Sequence, residues 1–239
     1  MNIGVRLPSI LSNMCTSSYL LHSPRPINCK KFTSIAYDNQ NSSEGRSSNK
    51  SHSNHYDLMS FLNYAARNNL DPKSTVYVGT HYEYTVQRAF ERMGMSLKRI
   101  GGRDDFGTDI IGKWPLPSAP HPLNVLIQCK AHAGKVNPAH ARELEGAITN
   151  ASATHGGSNI LCLLVSPNPI SKGVRETIGR SRWPMGFTLC SMEGNILQMM
   201  WNKRAAEGDL VGIKCELRFL NGDKNQREVV LTWKGRALF

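Results

Sequence analysis

The chain has 239 residues, enough for one domain with extensions but short of two full cores. Its 29 Lys and Arg against 18 Asp and Glu leave a formal charge of +11, which calls for an anionic partner such as nucleic acid or a membrane surface. No stretch approaches the ~20 continuous apolar residues of a transmembrane helix, so membrane insertion is not expected. The six cysteines are scattered without a CxxC pair, which argues for reduced thiols in a non-secreted protein and against zinc.

Residues 1–37 contain no acid, while Arg6, Arg25, Lys30 and Lys31 lie among serines and short apolar patches. That is the composition of a mitochondrial transit peptide; a tail of no address is the plainer alternative. Residues 38–55 are rich in Ser and Asn and almost free of apolar side chains, so they read as a disordered linker. A folded domain is expected over 56–203, with an extension over 204–239.

Tyr82, Val86, Phe90 and Met93 recur at helical spacing and predict an amphipathic helix starting at Thr80. Gly101 and Gly102 break the chain, and "FGTDIIG" and "NVLIQCK" then predict two strands joined by a proline-laden loop. Asn137 and Pro138 form an N-cap and first-turn pair for a helix that carries Ala141, Leu144, Ile148 and Ala151 to about Thr154. "NILCLLVSP" reads as a strand covered on both faces, followed by a helix in "SKGVRETIGRSR" and a strand in "GFTLCSM". "LVGIKCELRF" alternates apolar and polar residues and returns in "REVVLTWK", a β-hairpin appended to an α/β core.

Residues two apart in a strand share a face, so Leu126, Gln128 and Lys130 point one way and Val125, Ile127 and Cys129 the other. Gln128 and Lys130 then form a polar edge beside the strand that carries Asp109, an acid disfavoured in such a position. Gly107 just before it permits close approach to the backbone. A carboxylate, a neutral oxygen and a lysine that converge suit metal-assisted phosphodiester hydrolysis. The carboxylate holds Mg²⁺ or Mn²⁺, the metal polarises phosphate and water, and the lysine steadies the developing charge or orients the water.

"GTHYE", "DFGTDIIG" and "IQCK", in this order and spacing, resemble the Mrr-type branch of the PD-(D/E)xK restriction-endonuclease-like superfamily. The likeness runs from about Val76 to Trp201. The transit-like start and C-terminal hairpin add a resemblance to the fungal mitochondrial required-for-respiratory-growth family. Together these imply an α/β restriction-endonuclease-like core, a mixed central sheet flanked by helices, with the β-hairpin appended. They imply Asp109 as principal metal ligand, Gln128 at the second acidic position of the motif, Lys130 as the catalytic lysine and Glu83 as the helix glutamate completing the site. They also imply a mitochondrial (matrix) setting, a role in respiratory growth and genome maintenance, DNA as the foremost nucleic-acid partner, and a homodimer. Gln128 departs from the acidic residue usual in the superfamily and weakens the hold on a divalent cation.

Plainer readings stand beside these. Glu83 lies three residues after Thr80, the spacing of a capping box. Asp104 and Asp105 sit in a glycine-rich turn and need no chemistry, and Asp109 with Lys130 could form only a cross-strand ion pair. His132, His140 and His155 read as surface residues, and Met192, Met199 and Met200 as packing. Lys135, Arg142, Lys172, Arg175, Arg180 and Arg182 are the candidate nucleic-acid contacts, against a solvated face for any one of them. Lys214 and Arg218 share a face with Glu216 and carry no such claim. Beside catalysis, two functions remain open: a nuclease fold kept for binding, and an assembly factor whose basic charge is incidental.

Overall fold

The computed structural model describes residues 54–100, 107–131, 134–155, 159–220 and 223–239, without the side chains of 150–155, 220 and 223–226. The transit peptide, all but the last two residues of the linker, Asp104, Asp105 and His132 lie outside the described residues, as does the side chain of His155.

The first helix, α1 (Leu58–Arg67), was not expected from the sequence. Asp57 and Ser60 form a capping box at its start, and its Phe61 and Ala65 pack with Tyr84 of the next helix. That helix, α2, spans Thr75–Glu91 and begins five residues before the expected Thr80, because the Ser74 hydroxyl caps it by accepting the Tyr77 N–H. Glu83 is therefore a mid-helix residue, and the capping box with Thr80 does not exist.

Six strands form the main sheet in chain order: β1 (Ser96–Arg99), β2 (Ile110–Trp114), β3 (Leu123–Cys129), β4 (Ile160–Ser166), β5 (Met185–Cys190) and β6 (Ile196–Trp201). The pairs β1–β2, β2–β3 and β5–β6 are antiparallel, whereas β3–β4 and β4–β5 are parallel. The two parallel steps are spanned by α3 (Pro138–His155) and α4 (Lys172–Arg180), as crossover geometry requires. At Gly112 a Cβ would collide with Ser96 O at 2.0 Å, so the glycine lets β1 lie against β2. The short β1 and the edge strand β6 were not legible in the sequence; β2 to β5 were, although β2 begins at Ile110 and leaves Asp109 in the turn before it rather than in the strand.

One face of this sheet buries Ile110, Val125, Ile127, Leu161, Leu163 and Val165 against Tyr82, Val86 and Phe90 of α2. The other face packs Cys162, Leu164 and Phe187 against Leu144 and Ile148 of α3 and Val174 and Ile178 of α4. The alternation expected in β3 holds, with Leu126 against the second cluster and Cys129 against the first.

After a short α5 (Lys203–Glu207), β7 (Ile213–Leu220) and β8 (Asp223–Trp233) make the expected hairpin, and β9 (Arg236–Ala237) adds a third strand. Ile213, Val229 and Leu231 join the core on the α2 side, which anchors this second sheet. Cys129, Cys162, Cys190 and Cys215 are free thiols. No helix among the described residues is long and apolar enough to cross a membrane.

Candidate functional site at the carboxyl end of β3

Several ends converge at one side of the sheet. β3 and β4 run parallel and finish there, and the antiparallel register of Arg99 with Ile110 and of Ile110 with Ile127 brings the end of β1 and the start of β2 to the same place. The first turns of α3 and α4 adjoin, since a Cβ on Gly173 would lie 3.4 Å from Pro138 Cγ. Asn137 caps α3 as its sequence position suggested, with its side-chain oxygen accepting the Ala139 N–H at 2.8 Å.

Asp109 grips β3 on both sides of Gln128. Its N–H donates to Ile127 O at 3.0 Å, and its Oδ2 accepts the Cys129 N–H at 2.6 Å. The preceding Gly107 has φ +79°, and a Cβ there would come within 2.9 Å of Gln128 Nε2. The 107–109 turn thus closes over the glutamine, which is 2% exposed. Gln128 Oε1 is buried and has no hydrogen-bond partner among the described residues. An orphaned buried acceptor costs about 1–3 kcal/mol, a cost that a group coordinating or donating to Oε1 would remove.

Lys130 comes directly after β3, its side chain 18% exposed, with Nζ 3.6 Å from Glu143 Oε2 of α3. Glu83 reaches the same region from α2 and is held by an ion pair with Arg99 of β1, both side chains largely buried. Arg99 also lies over the Tyr84 ring, 5.4 Å from its centroid. The Cys129 thiol registers all three charges. Burial pushes its pKa well above the usual range, the carboxylates of Asp109 and Glu83 push it further, and Arg99 opposes them.

Arg99 and Glu143 are neighbours of the candidate site that sequence reasoning missed. A basic residue at the end of "SLKR" and an acid on an exposed helical turn carry no local signal of their partners. Of the expected basic contacts, Lys135 and Arg142 flank the start of α3 and Lys172 and Arg175 the start of α4, all exposed. Lys172 pairs with Glu176 at 3.8 Å. Arg180 ends α4, and Arg182 lies just beyond it with its guanidinium 5.7 Å from the Trp183 ring centroid. The structure does not bring these two to the site, because they precede β5, which starts at the opposite end of the sheet.

The residues present fit a hard divalent cation. One carboxylate and one unpartnered amide oxygen are oxygen donors of the kind Mg²⁺ takes while keeping several waters or phosphate oxygens. The fit does not extend to an acidic cage: among the described residues no group of three or more His, Cys, Asp and Glu is placed to hold a metal.

The described residues define a mixed α/β protein with an acid, a buried amide and a lysine at one end of its six-stranded sheet. The chain belongs to the family described as Required for respiratory growth protein 7, whose model matches residues 74–121 and 118–216. That match opens at the cap of α2 and takes in the whole main sheet. An uncharacterized mitochondrial protein of Schizosaccharomyces pombe is 26% identical over 155 residues, 63% of this chain and 61% of that one. The mitochondrial Required for respiratory growth protein 7 of Saccharomyces cerevisiae is 28% identical over 171 residues, 54% of this chain and 71% of that one. The chain therefore spans about three fifths of the fission-yeast relative, and it belongs with proteins of the mitochondrion. Among solved structures, the restriction endonuclease MspJI in complex with a 27-mer oligonucleotide is similar at 17% identity and a TM-score of 0.33, covering 54% of this chain and 28% of that one. A likeness of that degree does not distinguish one α/β arrangement from another.

Proposed function

We propose that the protein acts on mitochondrial nucleic acid, DNA foremost, as a restriction-endonuclease-like enzyme that hydrolyses phosphodiester bonds with Mg²⁺ or Mn²⁺. The observation that carries this reading is the buried, unpartnered Oε1 of Gln128 beside the Asp109 carboxylate. A bound cation would supply polarisation of the phosphate and of the attacking water. Asp109 and Gln128 would hold it, and the 107–109 turn fixes their positions. Lys130 would orient the water or steady charge on the phosphate. Glu83, engaged by Arg99, acts on this region through its charge and holds β1 in place. Lys135, Arg142, Lys172 and Arg175, with two helix N-termini, would draw phosphates to the same end. Respiratory growth would then depend on the protein through upkeep of the mitochondrial genome.

The test is cleavage of plasmid, single-stranded and branched DNA, and of RNA, by the purified full chain with and without Mg²⁺ or Mn²⁺. Asp109→Asn, which keeps an acceptor for the Cys129 N–H, and Lys130→Ala are run beside it. Metal-dependent cleavage that falls about 100-fold or more in both variants is the expected result. A second reading has its own observations: the neutral Gln128 and the Lys130–Glu143 contact suit a nuclease fold retained for binding alone. No cleavage of any substrate, with salt-sensitive binding unchanged in both variants, would replace the first reading by this one. Binding indifferent to salt would leave an assembly factor with incidental charge.

A further inference from the structure

Residues Lys214 to Phe219 of β7 are all exposed, on both faces of the strand. Among the described residues β7 pairs with β8 alone, so its other edge presents a row of backbone donors and acceptors. Folds usually blunt such an edge, yet Leu217 is 54% and Phe219 52% exposed here, on the face they share with Cys215. The opposite face reads Lys214, Glu216, Arg218: plus, minus, plus, with Arg218 already paired to Glu228 of β8 and Glu216 accepting the Thr232 hydroxyl at 2.9 Å.

We infer that this edge joins two copies of the chain, with β7 running antiparallel to β7 of the second copy about a two-fold axis at Leu217. The alternating charges choose this occupant, and together with the buried Ile213 they choose this register. Centred on Leu217, the pairing sets Glu216 opposite Arg218 of the second copy, and Arg218 opposite its Glu216. Shifted to a centre at Glu216, it would oppose Glu216 to itself and Lys214 to Arg218, both repulsive. Shifted to Cys215, it would need Ile213, which is buried at the hairpin's base. The Leu217 register also lays the two stripes of Cys215, Leu217 and Phe219 side by side, covering apolar surface that β7 otherwise leaves in water. Such an interface is isologous, as a closed two-fold dimer requires. Its area falls at the small end for protein contacts, so the dissociation constant belongs in the micromolar range.

The experiment is sedimentation velocity of the full chain from about 1 to about 100 µM. The wild type shifts towards a dimer over this range. Glu216→Arg alone opposes arginine to Arg218, and Arg218→Glu alone opposes glutamate to Glu216, so each variant dissociates at least about tenfold more readily. An equimolar mixture of the two variants dimerises again, because both contacts in the mixed dimer join opposite charges. This recovery shows that neither variant lost association by misfolding. A wild type that stays monomeric throughout overturns the inference, and so does a dimer that neither substitution weakens. Variants that fail to recover on mixing overturn the register and with it the proposed interface.

Discussion

Gly107 meets two constraints at once, and they act on the candidate site. Its φ of +79° is unfavourable for an L side chain, and the space a Cβ would occupy is closed by Gln128 Nε2 at 2.9 Å. Gly107→Ala should therefore destabilise the fold by about 2 kcal/mol, part from the backbone and part from displacing a buried amide. Urea unfolding checks the magnitude, and a loss below half that figure would mean the turn relaxes without moving Gln128. The residues this turn encloses were legible beforehand. Asp109 stands out as an acid in an apolar β-branched setting, and the period of two places Gln128 and Lys130 together. Their partners were not. Arg99 reaches Glu83 only because β1 folds back antiparallel on β2, and Glu143 meets Lys130 only because α3 crosses over the end of β3. Contacts of that kind depend on tertiary geometry, and a local pattern does not hold them.

Between elements, Asn202 does the joining. Its Oδ1 accepts the Ala205 N–H that starts α5 and the Met185 N–H that opens β5, at 3.1 and 3.2 Å. Its Nδ2 donates to Trp183 O at 2.8 Å and to Ile178 O at 3.1 Å, tying the end of α4 to the end of β6. Asn202→Ala strands several buried backbone groups at once, and a loss of about 3 kcal/mol is expected. Thermal unfolding would refute this if the midpoint moved no more than for an exposed substitution. The neighbouring elements show where sequence reading stops. β3 and β4 announce themselves by apolar runs bounded by turn residues, whereas β6 has Gln198 among its apolar residues, and α5 has only five residues. Such a helix is too short for a periodic signal; the Asn202 network defines it instead. The late start expected for α2 has a similar cause. Gly79 and the β-branched Val76 and Val78 weaken the helical signal before Thr80, while the Ser74 cap and packing against α1 override it.

Across the whole molecule, the net charge of +11 is informative only through where the structure places it. α4 has nine residues, a length of about 13 Å at 1.5 Å per residue, and its two ends carry different basic groups. Lys172 and Arg175 stand at the start beside Lys135 and Arg142 of the α3 entrance; Arg180 and Arg182 stand at the far end. If phosphates approach the carboxyl end of β3, the two sets must differ in their effect on binding. Each neutralised phosphate contact contributes roughly 0.9 to the slope of log affinity against log salt on duplex DNA. Replacing Lys135, Arg142, Lys172 and Arg175 by Gln should then lower that slope by about 3.6, while replacing Arg180 and Arg182 should change it by no more than about 0.5. Fluorescence anisotropy on a short duplex across a salt series measures both. An equal loss per charge removed would mean that the basic residues act as a diffuse field over the whole surface, and the end of β3 would lose its claim to be where nucleic acid is received. A loss confined to the first set would tie affinity to the same sheet end that holds Asp109, Gln128 and Lys130.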